Sequence, residues 1–334
     1  MGRRKFSGKA GAPAHASGQR GRPIPFSGLI PLLLAISIVA VGCGIGQPAE
    51  SALLPAGLAE ARVPDMELEA FVYIVGPTGG AVARELGFPA EVRAGSLSVW
   101  LAPWEEERVL GATLALPSEE AARLAAAAFA AGASRALALG RQVAVVQGDS
   151  TAAAGLAAAI ERNGLVTFAS RNPQALEVIQ WLPAHTPAPP NVVAYARLSE
   201  AVLEHLAQRT GNQELADVAV GMRSARISRA AVAVYAPEGL PLATLGDLEQ
   251  LGARAAGIVV APARLPASVV GTALRSAAGG LGLEEAALPS GPAFTRTLGS
   301  QRLYVANLGN KLYISFSPDE ARGQALLDSA LQRR

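Results

Sequence analysis

The sequence has little of several residue types on which common protein classes depend. It contains one cysteine, three histidines and only 5% aromatic residues in 334 positions. A single cysteine excludes a disulfide framework and a cysteine-rich zinc site. Half of the residues are nevertheless hydrophobic, which excludes a disordered or collagen-like chain and is sufficient, at this length, for about two folded domains.

The positive charge of the chain is confined to one segment. Residues 1–28 carry six basic side chains and no acidic one, whereas the remainder carries 23 basic and 27 acidic residues. The formal net charge of +2 therefore comes from a tail. The rest of the chain has no basic excess for binding a phosphate backbone, so nucleic acid is not a predicted partner.

An uncharged apolar segment follows the basic tail. Residues 1–25 are rich in Gly, Ala, Ser, Pro and cations, which predicts disorder. No charged residue lies from Pro23 to Ala49, and a helix over such a stretch reaches about 40 Å, enough to cross a hydrocarbon core of about 30 Å. We predict a signal or transmembrane helix over 26–43. Cations on its N-terminal side alone predict an extracytoplasmic body.

The apolar segment ends at Ala40-Val41-Gly42-Cys43, where the only cysteine of the chain directly follows small residues. This pattern resembles the lipobox of bacterial lipoprotein signal peptides. In that family the signal is cut before the cysteine, which receives the acyl chains. The resemblance therefore implies lipidation of Cys43 and stable membrane anchoring. An uncleaved signal-anchor helix with an inert cysteine is the alternative, and both place the body at the cell membrane.

Four segments are predicted after the signal. They are a tether over 44–67, a first α+β unit over 68–182, a Pro-rich joint over 183–190 and a second α+β unit over 191–334. Ser118, Asp149 or Ser150, and Ser317 precede Ala-rich or Leu-containing helical patterns and are predicted as helix caps, with Pro318 at the first position of the last helix. Hairpins are predicted around Gly140 and Gly309.

The predicted fold class is α+β. Strand patterns joined by hairpins indicate an antiparallel sheet in each unit, with helices packed on one face. The second unit repeats the element order of the first, and 143–162 aligns with 314–333 at a constant offset of 171. We predict a duplicated unit, with a single larger α+β domain as the alternative. The body loosely resembles uncharacterised exported bacterial proteins with repeated Ala-rich α+β units.

The segment Gly148-Asp149-Ser150 resembles the first block of GDSL/SGNH esterases, in which the serine is the nucleophile. A serine hydrolase also needs a histidine to accept the serine proton and an acid to orient it. The Asp-x-x-His block that supplies both in that family is missing here. A tight turn and a helix cap explain the same residues. An exported serine hydrolase using Ser150 is the alternative function.

Two further patterns are weak signals for a ligand. Gly76–Gly80 follows an apolar strand pattern and resembles a phosphate-cradling dinucleotide loop, but the acidic residue expected after the next strand is missing. His185 and His205 would need additional ligands to hold a metal ion. We therefore predict no cofactor-binding, metal-binding or catalytic residue.

Trp100, Trp104 and Glu105–Glu107 form the densest aromatic and acidic cluster in the sequence. They could bind a partner or a cationic ligand, or else form part of a core beside a solvated acidic turn. Taken together, the patterns predict a membrane-anchored extracytoplasmic protein with an envelope partner. Its predicted role is non-catalytic binding or scaffolding, with no cofactor.

Overall fold

The computed structural model describes residues 58, 61–76, 78–79, 81, 96–130, 134–183, 190–199, 226–236, 238–240, 248–280 and 282–332. The basic tail, the predicted signal segment with Cys43, and the interior of the Pro-rich joint lie outside these ranges, as do all three histidines. Among the described residues, no helix combines the length and apolarity needed to cross a membrane.

The described ranges contain fourteen strands and seven helices. The strands are β1 (Arg62–Pro64), β2 (Ala70–Val75), β3 (Ser96–Trp104), β4 (Glu107–Ala115), β5 (Ser134–Leu139), β6 (Gln142–Gln147), β7 (Leu165–Thr167), β8 (Val192–Arg197), β9 (Arg229–Tyr235), β10 (Ala256–Pro262), β11 (Glu284–Leu288), β12 (Gly291–Leu298), β13 (Gln301–Leu308) and β14 (Lys311–Ser317). The helices are α1 (Glu119–Ala130), α2 (Thr151–Asn163), α3 (Phe168–Arg171), α4 (Pro173–Ile179), α5 (Leu248–Arg254), α6 (Ala267–Gly280) and α7 (Glu320–Leu331).

Twelve of these strands form one large sheet, in the order β11-β12-β13-β14-β10-β9-β8-β2-β3-β4-β6-β5. Every pair of neighbouring strands in it is antiparallel. β1 and β7 form a separate two-stranded sheet. The predicted α+β class and antiparallel pairing are thus confirmed.

Helices cover both faces of the large sheet, so the prediction of helices on one face is wrong. Helices α1 and α6 contribute Phe129 and Leu274 to one buried cluster, whereas α2, α4 and α7 contribute Leu156 and Leu327, among others, to the cluster on the opposite face. The reason is visible in β10, which is buried at every position instead of alternating. A strand that is apolar on both sides requires cover on both faces.

The two halves of the large sheet show the same strand order outward from its centre. The first half runs β2-β3-β4-β6-β5, and the second runs β8-β9-β10-β14-β13 before adding the hairpin of β12 and β11. Helices α1 and α6 lie on one face, and α2 and α7 on the other. The halves nevertheless belong to one sheet, because Ala70–Ile74 of β2 pairs with Val192–Ala196 of β8.

Folded structure begins before residue 68, the predicted start of the first unit. Leu58, Ala61 and Val63 are buried in the same cluster as Phe168. The Phe168 amide donates a hydrogen bond to the carbonyl of Ala61 at 2.8 Å, and β1 pairs with β7. The last part of the predicted tether therefore packs against the body.

Candidate functional site

Ser150 is the N-cap of α2. Its backbone is extended, and its Oγ accepts a hydrogen bond from the Ala153 amide at 3.1 Å. The neighbouring Asp149 side chain is exposed. No histidine is present among the described residues to act as a base. The hydroxyl therefore serves the helix end, since an N-cap oxygen satisfies an otherwise unpaired amide of the first turn.

The glycine-rich segment after β2 is anchored within the protein. Gly76 has φ of +66°, a backbone conformation that glycine adopts without strain. Thr78 is fully buried, and its Oγ1 accepts a hydrogen bond from the Leu240 amide at 3.1 Å. Because β2 is antiparallel to both of its neighbours, the segment lacks the parallel βαβ setting of a dinucleotide loop.

The two tryptophans of the aromatic and acidic cluster are packing residues. Trp100 is buried against Gly111, and its Nε1 donates to Thr113 Oγ1 at 3.1 Å. Trp104 lies against Gly155 of α2, and its buried Nε1 has no partner in the part of the chain that the structure describes. Glu105–Glu107 are exposed where β3 turns into β4. Trp100 thus belongs to the core, and the acids form a solvated turn.

A polar cleft of about 630 Å³ lies at one end of the central strands. We call it the arginine cleft. The described residues that line it are Gln174, Glu177, Arg197, Ser199, Ser228, Arg229 and Arg264. Arg197 is the last residue of β8, Arg229 is the first residue of β9, and Arg264 follows the end of β10.

The pairing of β8 with β9 brings two of these cations face to face. Arg197 lies directly opposite Arg229 in the antiparallel register, an arrangement in which like charges destabilise a sheet. Arg229 Nη1 donates to Glu177 Oε2 at 3.1 Å and to the carbonyl of Gln174 at 3.2 Å. Arg197 forms an ion pair with Glu67. Within the described ranges, each of these two arginines therefore has one carboxylate partner.

Arg264 differs from the other two arginines of the cleft. Its side chain is exposed, and no hydrogen bond or ion pair joins it to any described residue. A guanidinium carries five N–H donors in a fixed planar arrangement. Arg264 thus leaves a full set of donors at the rim of the cleft.

The groups around Glu177 show the electrostatic character of this region. Burial raises the pKa of Tyr195 to about 12, against the opposing effect of Arg229. Burial also lowers the pKa of Lys311, whose ammonium lies 4.4 Å from the ring centre of Trp181, and Glu177 partly offsets that effect. Burial, followed by repulsion from Arg229, lowers the pKa of Arg197. Cations that lose water on burial, and are not fully paired with carboxylates, are stabilised by an anion that binds beside them.

Sequence reasoning missed the arginine cleft because its arginines are far apart in the chain. Positions 197, 229 and 264 meet only through the pairing of β8, β9 and β10. The available signal was an arginine at the end of an apolar strand pattern, as in VVAYAR and RAAVAVY. Without the strand order, that signal does not distinguish a shared site from three solvated strand ends.

A second cavity, of about 490 Å³, lies between α6 and the hairpin of β11 and β12. Leu274 and Phe294 are among its apolar lining residues, and Arg275 and Glu285 supply one charge of each sign. No group of three or more potential metal ligands occurs within the described ranges. The arginine cleft is therefore the stronger candidate for binding a charged ligand.

The chain matches no protein-family model, no curated protein and no solved structure. The geometry of the arginine cleft and the N-terminal sequence are therefore the two grounds for a functional proposal.

Proposed function

We propose that this is a membrane-anchored extracytoplasmic protein with a non-catalytic binding role, and that it binds an anionic ligand in the arginine cleft. The observation that carries the binding role is Arg264, a cleft guanidinium without a partner among the described residues. The basic tail, the apolar segment 26–43 and Cys43 support the location. The use of Ser150 as a helix cap favours this role over the alternative of a serine hydrolase.

We further propose that the two halves of the body derive from one duplicated unit. The shared strand order from the centre outward and the matching faces of α1 with α6 and of α2 with α7 support this origin. The hairpin of β11 and β12 is then an addition to the second unit. Glu177 belongs to the first unit, and Arg197, Arg229 and Arg264 to the second, so the arginine cleft lies between them.

The binding role is tested with purified full-length protein in neutral detergent micelles. We expect acetate and glycerol phosphate to bind saturably by calorimetry, and the neutral sugar glucose not to bind, because only the anions compensate the cleft cations. Arg264→Ala should weaken anion binding. Anion binding that does not change in this variant would contradict the role of the cleft.

The location is tested by replacing Cys43 with serine in the full-length chain. We expect the parent to incorporate a labelled fatty acid and to partition with membranes, and Cys43→Ser to lose the label. Partition of an unlabelled parent with membranes would favour the uncleaved helix. A reporter fused after Arg334 that is active only in the cytoplasm would overturn the proposed location.

The absence of catalysis is tested with activated esters as substrates. We expect the parent and Ser150→Ala to show no turnover above that of buffer, because the Ser150 hydroxyl is engaged at the N-terminus of α2. Turnover by the parent that is lost in Ser150→Ala would establish the hydrolase instead.

A further inference from the structure

We infer that the arginine cleft recognises a phosphate monoester group, with Arg264 and Arg229 as its principal donors. This inference rests on the proposed function in one respect, namely that the cleft binds an anion. It adds the chemical class of that anion, which the proposed function leaves open.

The charge balance of the region favours a dianion. The described lining of the cleft carries three positive charges, on Arg197, Arg229 and Arg264, and one negative charge, on Glu177. These lining residues therefore have two more positive than negative charges. A phosphate monoester carries a charge of about −1.5 to −2 at pH 7, whereas a carboxylate would compensate only one of the two.

The donor geometry favours the same group. Guanidinium N–H groups pair with phosphate oxygens in a bidentate manner, and such charge-assisted hydrogen bonds are about twice as strong as neutral ones. Arg197 and Arg229 lie opposite each other across β8 and β9, and Arg264 comes from the strand next to β9. Donors from three adjacent strand ends suit a tetrahedral group, which accepts hydrogen bonds in several directions.

The size of the cleft indicates that the phosphate belongs to a larger molecule. A volume of about 630 Å³ falls in the usual range of small-molecule sites, about 300–1,000 Å³. A bare phosphate ion would leave most of that volume to water. Two sources of the same chemistry are compatible with the cleft: a soluble phosphorylated small molecule and the monoester headgroup of a membrane lipid.

The inference is tested by titrating full-length protein in neutral detergent micelles with glycerol phosphate and, separately, with acetate. We expect glycerol phosphate to bind at least about tenfold more tightly than acetate, because it compensates both residual charges. Arg264→Ala should weaken glycerol phosphate binding by about tenfold to a hundredfold, the usual effect of losing hydrogen bonds to a charged group. Arg264→Lys should restore part of the affinity, since it retains the charge and loses the planar donor set.

The matched control is Arg141→Ala. Arg141 is an exposed arginine in the turn between β5 and β6. Three successive antiparallel pairings separate β8 from β4, so β4 runs in the direction opposite to β8. The end of β4, where Ala115 pairs with Gln142, therefore lies at the other end of the sheet from the end of β8 and the cleft. We expect this variant to bind glycerol phosphate within about twofold of the parent. An equal loss in both arginine variants would indicate only a general charge effect and would overturn the inference.

The source of the phosphate is distinguished in nanodiscs. We compare glycerol phosphate binding in discs of phosphatidylcholine with binding in discs that also contain phosphatidic acid. If a lipid headgroup is the ligand, phosphatidic acid should compete in the parent and not in Arg264→Ala. If the ligand is soluble, parent and variant should respond equally to phosphatidic acid.

Two results would overturn the inference and differ in their effect on the proposed function. If acetate binds as tightly as glycerol phosphate and both depend on Arg264, the cleft is an anion site without phosphate selectivity, and the proposed function stands. If neither anion shows saturable, Arg264-dependent binding, the inference and the proposed binding role both fail.

Discussion

At the scale of single residues, Trp100 and Gly111 show how closely the first half of the sheet is packed. These residues are directly opposite each other on β3 and β4. A Cβ atom added to Gly111 would lie 2.2 Å from Cη2 of Trp100. Trp100 cannot move away easily, because it is buried and its Nε1 is hydrogen-bonded to Thr113. Gly111 is thus required by packing, not by backbone conformation.

Gly111→Ala should lower the free energy of unfolding by about 1–3 kcal/mol, the usual cost of overpacking a core. The measurement is urea unfolding followed by tryptophan fluorescence. Gly271→Ala is the control: its added Cβ would meet no atom closer than 3.4 Å, and alanine favours the interior of α6 by up to about 1 kcal/mol. Equal stability of the two variants would contradict the packing account.

Tyr195 should make stability depend on pH in the alkaline range. Its folded pKa of about 12 is above the ordinary value of about 10, so the unfolded chain releases the phenolic proton first. The contribution of Tyr195 is fully present below about pH 10 and is lost as the pH rises towards 12, by up to about 1.4 kcal/mol per pH unit. In Tyr195→Phe, the free energy of unfolding measured with urea should fall less steeply with pH over this range. A fall as steep as that of the parent would contradict the raised pKa of Tyr195.

At the scale of elements, local signals identified ends and turns better than they identified faces. Ser118 caps α1 as predicted, accepting a hydrogen bond from the Ala121 amide. The predicted cap of α7 at Ser317 is wrong by two residues: Ser317 ends β14, and Asp319 accepts a hydrogen bond from the Arg322 amide instead. The hairpins of β5 with β6 and of β13 with β14 are also confirmed. These features depend on a few neighbouring residues, and their chemistry is local.

The elements that the sequence did not predict depend on distant partners. β1 is a three-residue strand whose partner, β7, lies about a hundred residues later in the chain. The placement of helices on both faces depends on strands that are buried throughout, such as β10. The arginine cleft required the order of β8, β9 and β10. The pairing of β1 with β7 and the order of β8, β9 and β10 join residues that are distant in sequence. The uninterrupted apolar run of β10 is a local signal, and it indicates cover on both faces.

Ser150→Ala should lower the free energy of unfolding by about 1 kcal/mol through loss of the α2 N-cap. Asp319→Ala should have a similar effect at α7, where Asp319 Oδ1 accepts from the Arg322 amide. The control is Asp149→Ala, which leaves the cap of α2 in place and removes only an exposed charge near the helix start. Thermal unfolding monitored by circular dichroism is the measurement. A larger loss of stability in Asp149→Ala than in Ser150→Ala would indicate that Asp149, and not Ser150, is the N-cap of α2.

At the scale of the whole molecule, one continuous sheet spans the two predicted units, and we expect them to unfold as one cooperative structure. β2 and β8 pair along five residues on each strand. Both buried clusters also cross this junction: one contains Val72 together with Phe316, and the other contains Phe71 together with Tyr313. Separate unfolding of either half would expose apolar surface on both faces of the other.

A destabilising change in the second half should therefore be detected in the first. In a Trp181→Phe background, which removes the tryptophan that contacts Lys311 of the second half, Gly257→Ala places a Cβ 2.2 Å from Cζ of Phe316, far in sequence from the remaining tryptophans at positions 100 and 104. We expect it to shift the tryptophan fluorescence transition in urea to the same lower midpoint as the circular dichroism transition. A fluorescence midpoint equal to that of the parent would show that the halves unfold independently.

The arginine cleft takes its groups from both sides of that junction, with Glu177 before the Pro-rich joint and Arg197, Arg229 and Arg264 after it. A molecule that binds there only in the native state raises the free energy of unfolding by RT ln(1 + [L]/Kd). Because the ligand would contact both halves, its binding would oppose separation of the halves as well as the unfolding of either half. Ligand binding and the resistance of the two halves to separation would then rise together, because both depend on the native arrangement of the cleft.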